Sequence, residues 1–218
     1  MGRGRAPRSV VVTAVVAAVV ALSALVTVRL LREDGTSAQV PADGGGTNAV
    51  TAGADCGEGP CQVVARATVD GKPVELLADS QGGNGRFQAG ANTIEVTVTA
   101  LGGRLDANSL SCVSGTVSAC LVHARQEGAA IAQLLVDRAG TWRSVDKPYY
   151  SSGGVVRLDD VAGDTAPEVV VVQTSPVLAR VFALDGSALG CTRRYTSVSQ
   201  LRGWPEVQLN PGDLRACS

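Results

Sequence analysis

The sequence predicts an all-β extracellular domain preceded by one N-terminal transmembrane helix. Three observations carry that reading. A run of nineteen residues, Val10 to Val28, passes without a charge. All six cysteines lie beyond it. From Cys56 onward the apolar residues recur with period two, the spacing of a half-buried strand.

The run comes first. A helix rises about 1.5 Å per residue, so it spans roughly 28 Å, close to the hydrocarbon thickness of a bilayer. Signal-peptide cores are usually about 7–15 residues and end at a small-x-small site. This one is longer and ends at Arg29-Leu30-Leu31-Arg32. The nearest cleavage candidate, Thr36-Ser37-Ala38, lies past Arg32-Glu33-Asp34. Residues 10–31 are therefore expected as a retained signal anchor, with secretion after cleavage as the alternative. No cysteine follows the apolar core directly, which argues against a lipoprotein. Arg3, Arg5 and Arg8 precede the run and Arg29 and Arg32 follow it, a bias that sets residues 1–9 in the cytoplasm and the rest outside. Nine residues are too few for a cytoplasmic signalling domain. Six exported cysteines suit an oxidising compartment, without the Cys-x2-Cys spacing or multiple histidines of a metal site.

Residues 32–55 are Gly, Ala, Thr, Asp and Pro with almost no large apolar side chain. Such a segment cannot bury enough surface to offset its ordering entropy, so a disordered linker is expected, spanning roughly 25 Å. Residues 56–218 then form a disulfide-stapled all-β domain. Beyond residue 32 the chain holds 14 Lys/Arg and 20 Asp/Glu, a net charge of −6. That balance, with 3% aromatic residues, argues against nucleic-acid binding. The Val/Ala/Gly-rich, lysine-poor composition resembles that of proteins from GC-rich bacteria.

In order, Cys61–Val69 alternates as a first strand, Asp70-Gly71-Lys72 is a tight turn, and Val74–Asp79 returns as a second strand. Ile94–Ala100 shows the clearest alternation in the chain and is expected as a strand. The pattern then recurs at about 58–59 residues. Cys56 to Arg66 is echoed by Cys112 to Arg125, Glu75–Asp79 by Gln133–Asp137, and Gly85-Arg86-Phe87 by Gly140-Thr141-Trp142. The simplest disulfide set that respects this repeat is Cys56–Cys61 and Cys112–Cys120, leaving Cys191–Cys217 for the tail. Pairing across the units stays open.

The segment Val155–Val172 reads as strand, Asp-rich loop and apolar strand, with a hairpin at Arg180–Gly186. Over about residues 155–190 it resembles the FG-GAP/VCBS β-propeller repeat. Asp160, Gly163, Asp164, Pro167 and Glu168 fit the family's loop. Ala162 stands where the family has Asp or Asn, and Thr165 where it usually has Gly. The resemblance implies calcium at this loop, with Asp160, Asp164 and Glu168 as the metal-ligand candidates. Calcium takes six to eight oxygens, so the lost carboxylate weakens the site. The alternative is a structural turn whose Asp side chains bond their own backbone. Glu168–Val172 is apolar on both faces and should be a central strand covered on both sides.

The tail offers turn signals at Trp204-Pro205 and Asn210-Pro211-Gly212, and Val207–Leu209 as a short strand. No helix beyond two turns is expected outside the membrane. Three strand-rich units are too few to close a propeller of four to eight blades. The expectation is a partial or small propeller-like arrangement completed by the tail, or an open sandwich.

Catalytic chemistry has little to draw on. The single histidine, His123, falls mid-strand by the repeat, and no Gly-x-Ser-x-Gly elbow exists. The Gly-rich stretches precede no helix, so they make poor phosphate cradles. The functional expectation is a non-enzymatic, membrane-anchored envelope module that binds an envelope protein or glycan, or acts structurally. It uses no cofactor, calcium apart. The alternative is an envelope enzyme or enzyme accessory with a carboxylate or calcium site.

Overall fold

Three antiparallel sheets account for nearly all regular structure in the computed structural model, which describes residues 55–57 and 59–217. The expected cytoplasmic segment 1–9, membrane helix 10–31 and all of linker 32–55 except Asp55 lie outside the described residues. Among the described residues no helix is long and apolar enough to cross a membrane.

Each sheet is a meander of consecutive strands. The first contains β1 (Gln62–Val69), β2 (Lys72–Ala78), β3 (Arg86–Ala89) and β4 (Asn92–Glu95), in that order. The second contains β5 (Leu110–Val113), β6 (Ser118–Gln126), β7 (Ala129–Arg138) and β8 (Thr141–Ser144), and β9 (Tyr149–Ser151) pairs with the start of β7. The third contains β10 (Val156–Asp159), β11 (Glu168–Thr174), β12 (Val177–Phe182) and β13 (Ala188–Cys191). Local sequence explains the hairpins. Asp70 and Gly71 have φ of 50° and 73°, the pair of positive values that a two-residue type I′ turn needs to match strand twist.

Strand periodicity then sets how the sheets stack. On β6, Cys120, Val122 and Ala124 face the first sheet, while Ala119 and Leu121 face the third. On β7, Ile131 and Leu135 turn one way and Ala132, Leu134 and Val136 the other. The middle sheet is thus covered on both faces, which is why β7 reads as a nearly unbroken apolar run. Phe87 of the first sheet meets Trp142 of the second with ring centroids 5.1 Å apart. Strand β11 behaves as expected, with Glu168–Val172 buried throughout. Val169 and Val171 face the middle sheet, and Val170 and Val172 face Leu201, Val207 and Leu209 of the tail.

Two expectations about strands are corrected. Ile94–Ala100 is not one strand: β4 stops at Glu95, and Thr97–Ala100 coil into a single-turn helix, α1. The cause is Gln133, a buried polar residue of β7 that lies 36 positions downstream of Thr97. Its Oε1 accepts the Thr97 N–H at 2.7 Å and the Thr97 hydroxyl at 3.1 Å, drawing the chain off the ladder. Thr99 closes the turn by donating to the Val96 carbonyl, and Val98 enters the core fully buried. Val207–Leu209 forms no strand either. Val207 and Leu209 are anchored by burial, and the backbone is held crosswise instead, with Gln208 N–H donating to the Arg202 carbonyl and Arg157 Nη1 to the Glu206 carbonyl.

The disulfides are Cys56–Cys61, Cys112–Cys120 and Cys191–Cys217, and no described cysteine is free. Cys112 and Cys120 stand directly opposite on β5 and β6. The Cys191–Cys217 bond fastens the tail beside the reciprocal backbone bonds of Cys191 and Arg215.

Candidate functional site

The Asp-rich loop lies between β10 and β11, and its carboxylates point at its own backbone. Asp160 Oδ1 accepts from the N–H groups of Gly163 (2.7 Å) and Asp164 (3.2 Å), and Oδ2 from Thr165 (3.2 Å). Asp164 Oδ1 accepts from Ala166. Glu168, buried at the start of β11, accepts from Val161 at 2.7 Å and Ala162 at 3.2 Å through Oε2. Thr165 has φ of 67°, a left-handed conformation that is strained for a β-branched residue. The Asp160 carboxylate holds its amide there. Burial pushes the Glu168 carboxyl above its ordinary value, against the two amides, and the charges of Asp164 and Asp160 push it further up. Among the described residues no group of three or more His, Cys, Asp or Glu is placed to hold a metal ion. The carboxylates of Asp160 and Asp164 bond the loop's own backbone, as in an Asx-type turn.

His123 sits on β6, and the fold brings Ser109 and Asp106 near it. The three do not form a relay. The Ser109 hydroxyl contacts Asp106 Oδ1 at 3.3 Å, and His123 Nδ1 is buried without a hydrogen-bond partner among the described residues. Burial first, and Arg125 second, lower the His123 pKa, opposed by Asp106. The serine hydroxyl donates to a carboxylate and, among the described residues, makes no hydrogen bond to the imidazole, so the histidine does not serve as its base.

A feature the sequence reading passed over is a cleft of about 630 Å³ on the third sheet. Val171, Gln173, Leu178, Arg180 and Phe182 all line it. They share one face because β11 and β12 present alternate residues to the same side. That is the face whose inner part packs on the middle sheet through Val169 and Val171. Lys147 and Pro148, on the approach to β9, and Tyr149 and Tyr150, within it, also line the cleft. The Cys191–Cys217 disulfide borders the cleft. Tyr149 is buried edge-on against Phe182, centroids 5.3 Å apart, whereas Tyr150 is 57% exposed. Gln173 fixes the Tyr150 backbone by donating to its carbonyl at 2.7 Å and accepting from the Ser152 hydroxyl at 2.9 Å.

The charges in this cleft are of one sign. Lys147 Nζ lies 4.9 Å from the Phe182 ring centroid and Arg180 Cζ 5.4 Å from it. Both side chains are exposed, and among the described residues neither has an ion-pair partner; the ion pairs there are Arg66–Glu75 and Arg157–Asp159. Among the described residues no carboxylate lines the cleft. Asp146 and Asp185 border the neighbouring hollow, which Lys147 shares. The adjacent tyrosines of Lys147-Pro148-Tyr149-Tyr150, in a chain with three tyrosines, were the available sequence signal.

A smaller hollow of about 350 Å³ gathers Asp70, Asn92, Asp137 and Trp142 at the hairpin tips of the first two sheets. Compared with known protein families, curated proteins and solved structures, the chain matches none.

Proposed function

We propose that this chain is a non-enzymatic binding module of a bacterial cell envelope, with its ligand held in the cleft over β11 and β12. In this reading residues 10–31 anchor the chain in the membrane, residues 32–55 form a stalk, and residues 56–218 work outside the cell. The third sheet is a blade of the FG-GAP/VCBS kind, and the three sheets form a partial propeller-like arrangement or an open sandwich. Support for this arrangement is that each sheet contains a meander of four consecutive strands and neighbouring sheets pack face to face.

The observation that carries the binding reading is an aromatic-lined cleft in which Tyr150 is 57% exposed, above Tyr149 and Phe182 that are buried in its floor. The chain has seven aromatic side chains, counting two Phe, two Trp and three Tyr. Three of them, Tyr149, Tyr150 and Phe182, line this cleft. Aromatic faces flanked by a few placed polar groups are the usual lining of a ligand site.

The test uses the full chain expressed in bacteria. Carbonate extraction should leave it with the membrane, external protease should reach its C-terminal domain in intact cells, and the detergent-solubilised chain should co-sediment with purified cell-wall sacculi. Tyr150→Ala should reduce that co-sedimentation several-fold without lowering Tm. A cytosolic protein with free thiols, or a chain that ignores sacculi, would refute the proposal.

A further inference from the structure

We infer that the cleft takes an acidic polysaccharide, seating a sugar ring on Tyr150 and the ring's carboxylate or phosphate between Lys147 and Arg180. This deepens the binding-module reading and rests on it.

The argument starts from the two cations. Lys147 comes from the loop between β8 and β9 and Arg180 from β12, yet both are drawn to the one Phe182 ring. Two positive charges collected at one ring repel each other, and among the described residues no carboxylate reaches either of them. An anion placed between them relieves that repulsion and gains two charge-assisted hydrogen bonds. Arginine supplies a planar fork that matches a carboxylate or phosphate, and lysine supplies a point charge.

The walls say what the anion is attached to. A free inorganic anion has no use for aromatic surface, whereas a sugar ring presents C–H groups that pack on an aromatic face. Tyr150 is half exposed and its backbone is pinned by Gln173, so its ring is offered at little entropic cost. Beside it Tyr149 is 2% exposed, and its hydroxyl has no hydrogen-bond partner among the described residues. That hydroxyl is itself buried, so the contact with the sugar falls to Tyr150. The cleft volume of about 630 Å³ admits two or three sugar units.

The test is a titration of the detergent-solubilised full chain by calorimetry or fluorescence. The probes are galacturonate hexamers, phosphorylated mannose hexamers and neutral dextran hexamers. Carboxylated or phosphorylated probes should bind, the better of the two naming the source of the anion, and the affinity should fall steeply with added salt. Lys147→Gln and Arg180→Gln should each weaken binding about tenfold, and Tyr150→Ala should do the same with the salt dependence retained. Circular dichroism melts check that these surface variants remain folded. Dextran binding as tight as the acidic probes, or undiminished binding by the Lys147→Gln/Arg180→Gln double variant, overturns the inference. If neither acidic probe binds while sacculi still do, the anionic ligand is wrong and the binding module stands. If sacculi do not bind either, both fall.

Discussion

The Asp160–Glu168 loop and the Lys147–Arg180 cleft both gather charge on the third sheet, and they treat it in opposite ways. In the loop every carboxylate is met by backbone N–H groups within a few residues, and Glu168 is buried while being met. In the cleft a loop lysine and a strand arginine meet an aromatic ring and, among the described residues, no ion-pair partner. Charge answered by its own backbone holds a fold together. Charge that the fold assembles and leaves unanswered is available to something else. The Asp-rich motif is the more conspicuous in sequence, yet its side chains are the more fully engaged.

The largest test of this contrast is Glu168→Ala. It leaves the N–H groups of Val161 and Ala162 without their acceptor beside a buried position. The cost should be about 2–3 kcal/mol, read as a fall in Tm of roughly 5–10 °C for a domain of this size. A variant as stable as the parent would break the claim that the loop is structural.

A second test is the pH dependence of Glu168→Gln. The folded carboxyl sits above its ordinary value of 4.5. The stability it contributes as a protonated group is therefore present below that value and lost as pH rises through the folded pKa. Chemical denaturation should show the glutamine variant gaining on the parent between pH 4 and pH 7. The opposite slope would mean that the two amides outweigh desolvation.

The smallest effect is expected in the cleft. Arg180→Gln and Lys147→Gln should each shift stability by less than about 1 kcal/mol, because an exposed cation–π contact is worth that or less. A loss equal to that of Glu168→Ala would make these cations structural and erase the contrast.

What the sequence revealed divides along the same line. Period-two alternation and turn residues are local, so β1, β2, β11 and the Asp70-Gly71 turn were legible, as was a disulfide set built from neighbouring cysteines. Gln133 was not, because its effect on Thr97 crosses from one sheet to another. Val207 and Leu209 obeyed the alternation of a strand, but their burial beneath the third sheet is not accompanied by ladder bonds. The cleft was invisible for the same reason. Arg180 and Lys147 become neighbours only after two sheets have stacked, and no spacing rule announces that.

The connectivity of the disulfides carries one more consequence. The bonds join the first cysteine to the second, the third to the fourth and the fifth to the sixth. Each sheet is likewise built from one contiguous stretch of chain. A polypeptide emerging from its amino terminus thus presents every thiol with its native mate as the earliest unclaimed neighbour. Oxidation in order of appearance reaches the correct set directly, and maturation calls for an oxidant but not for an isomerase to undo mistakes.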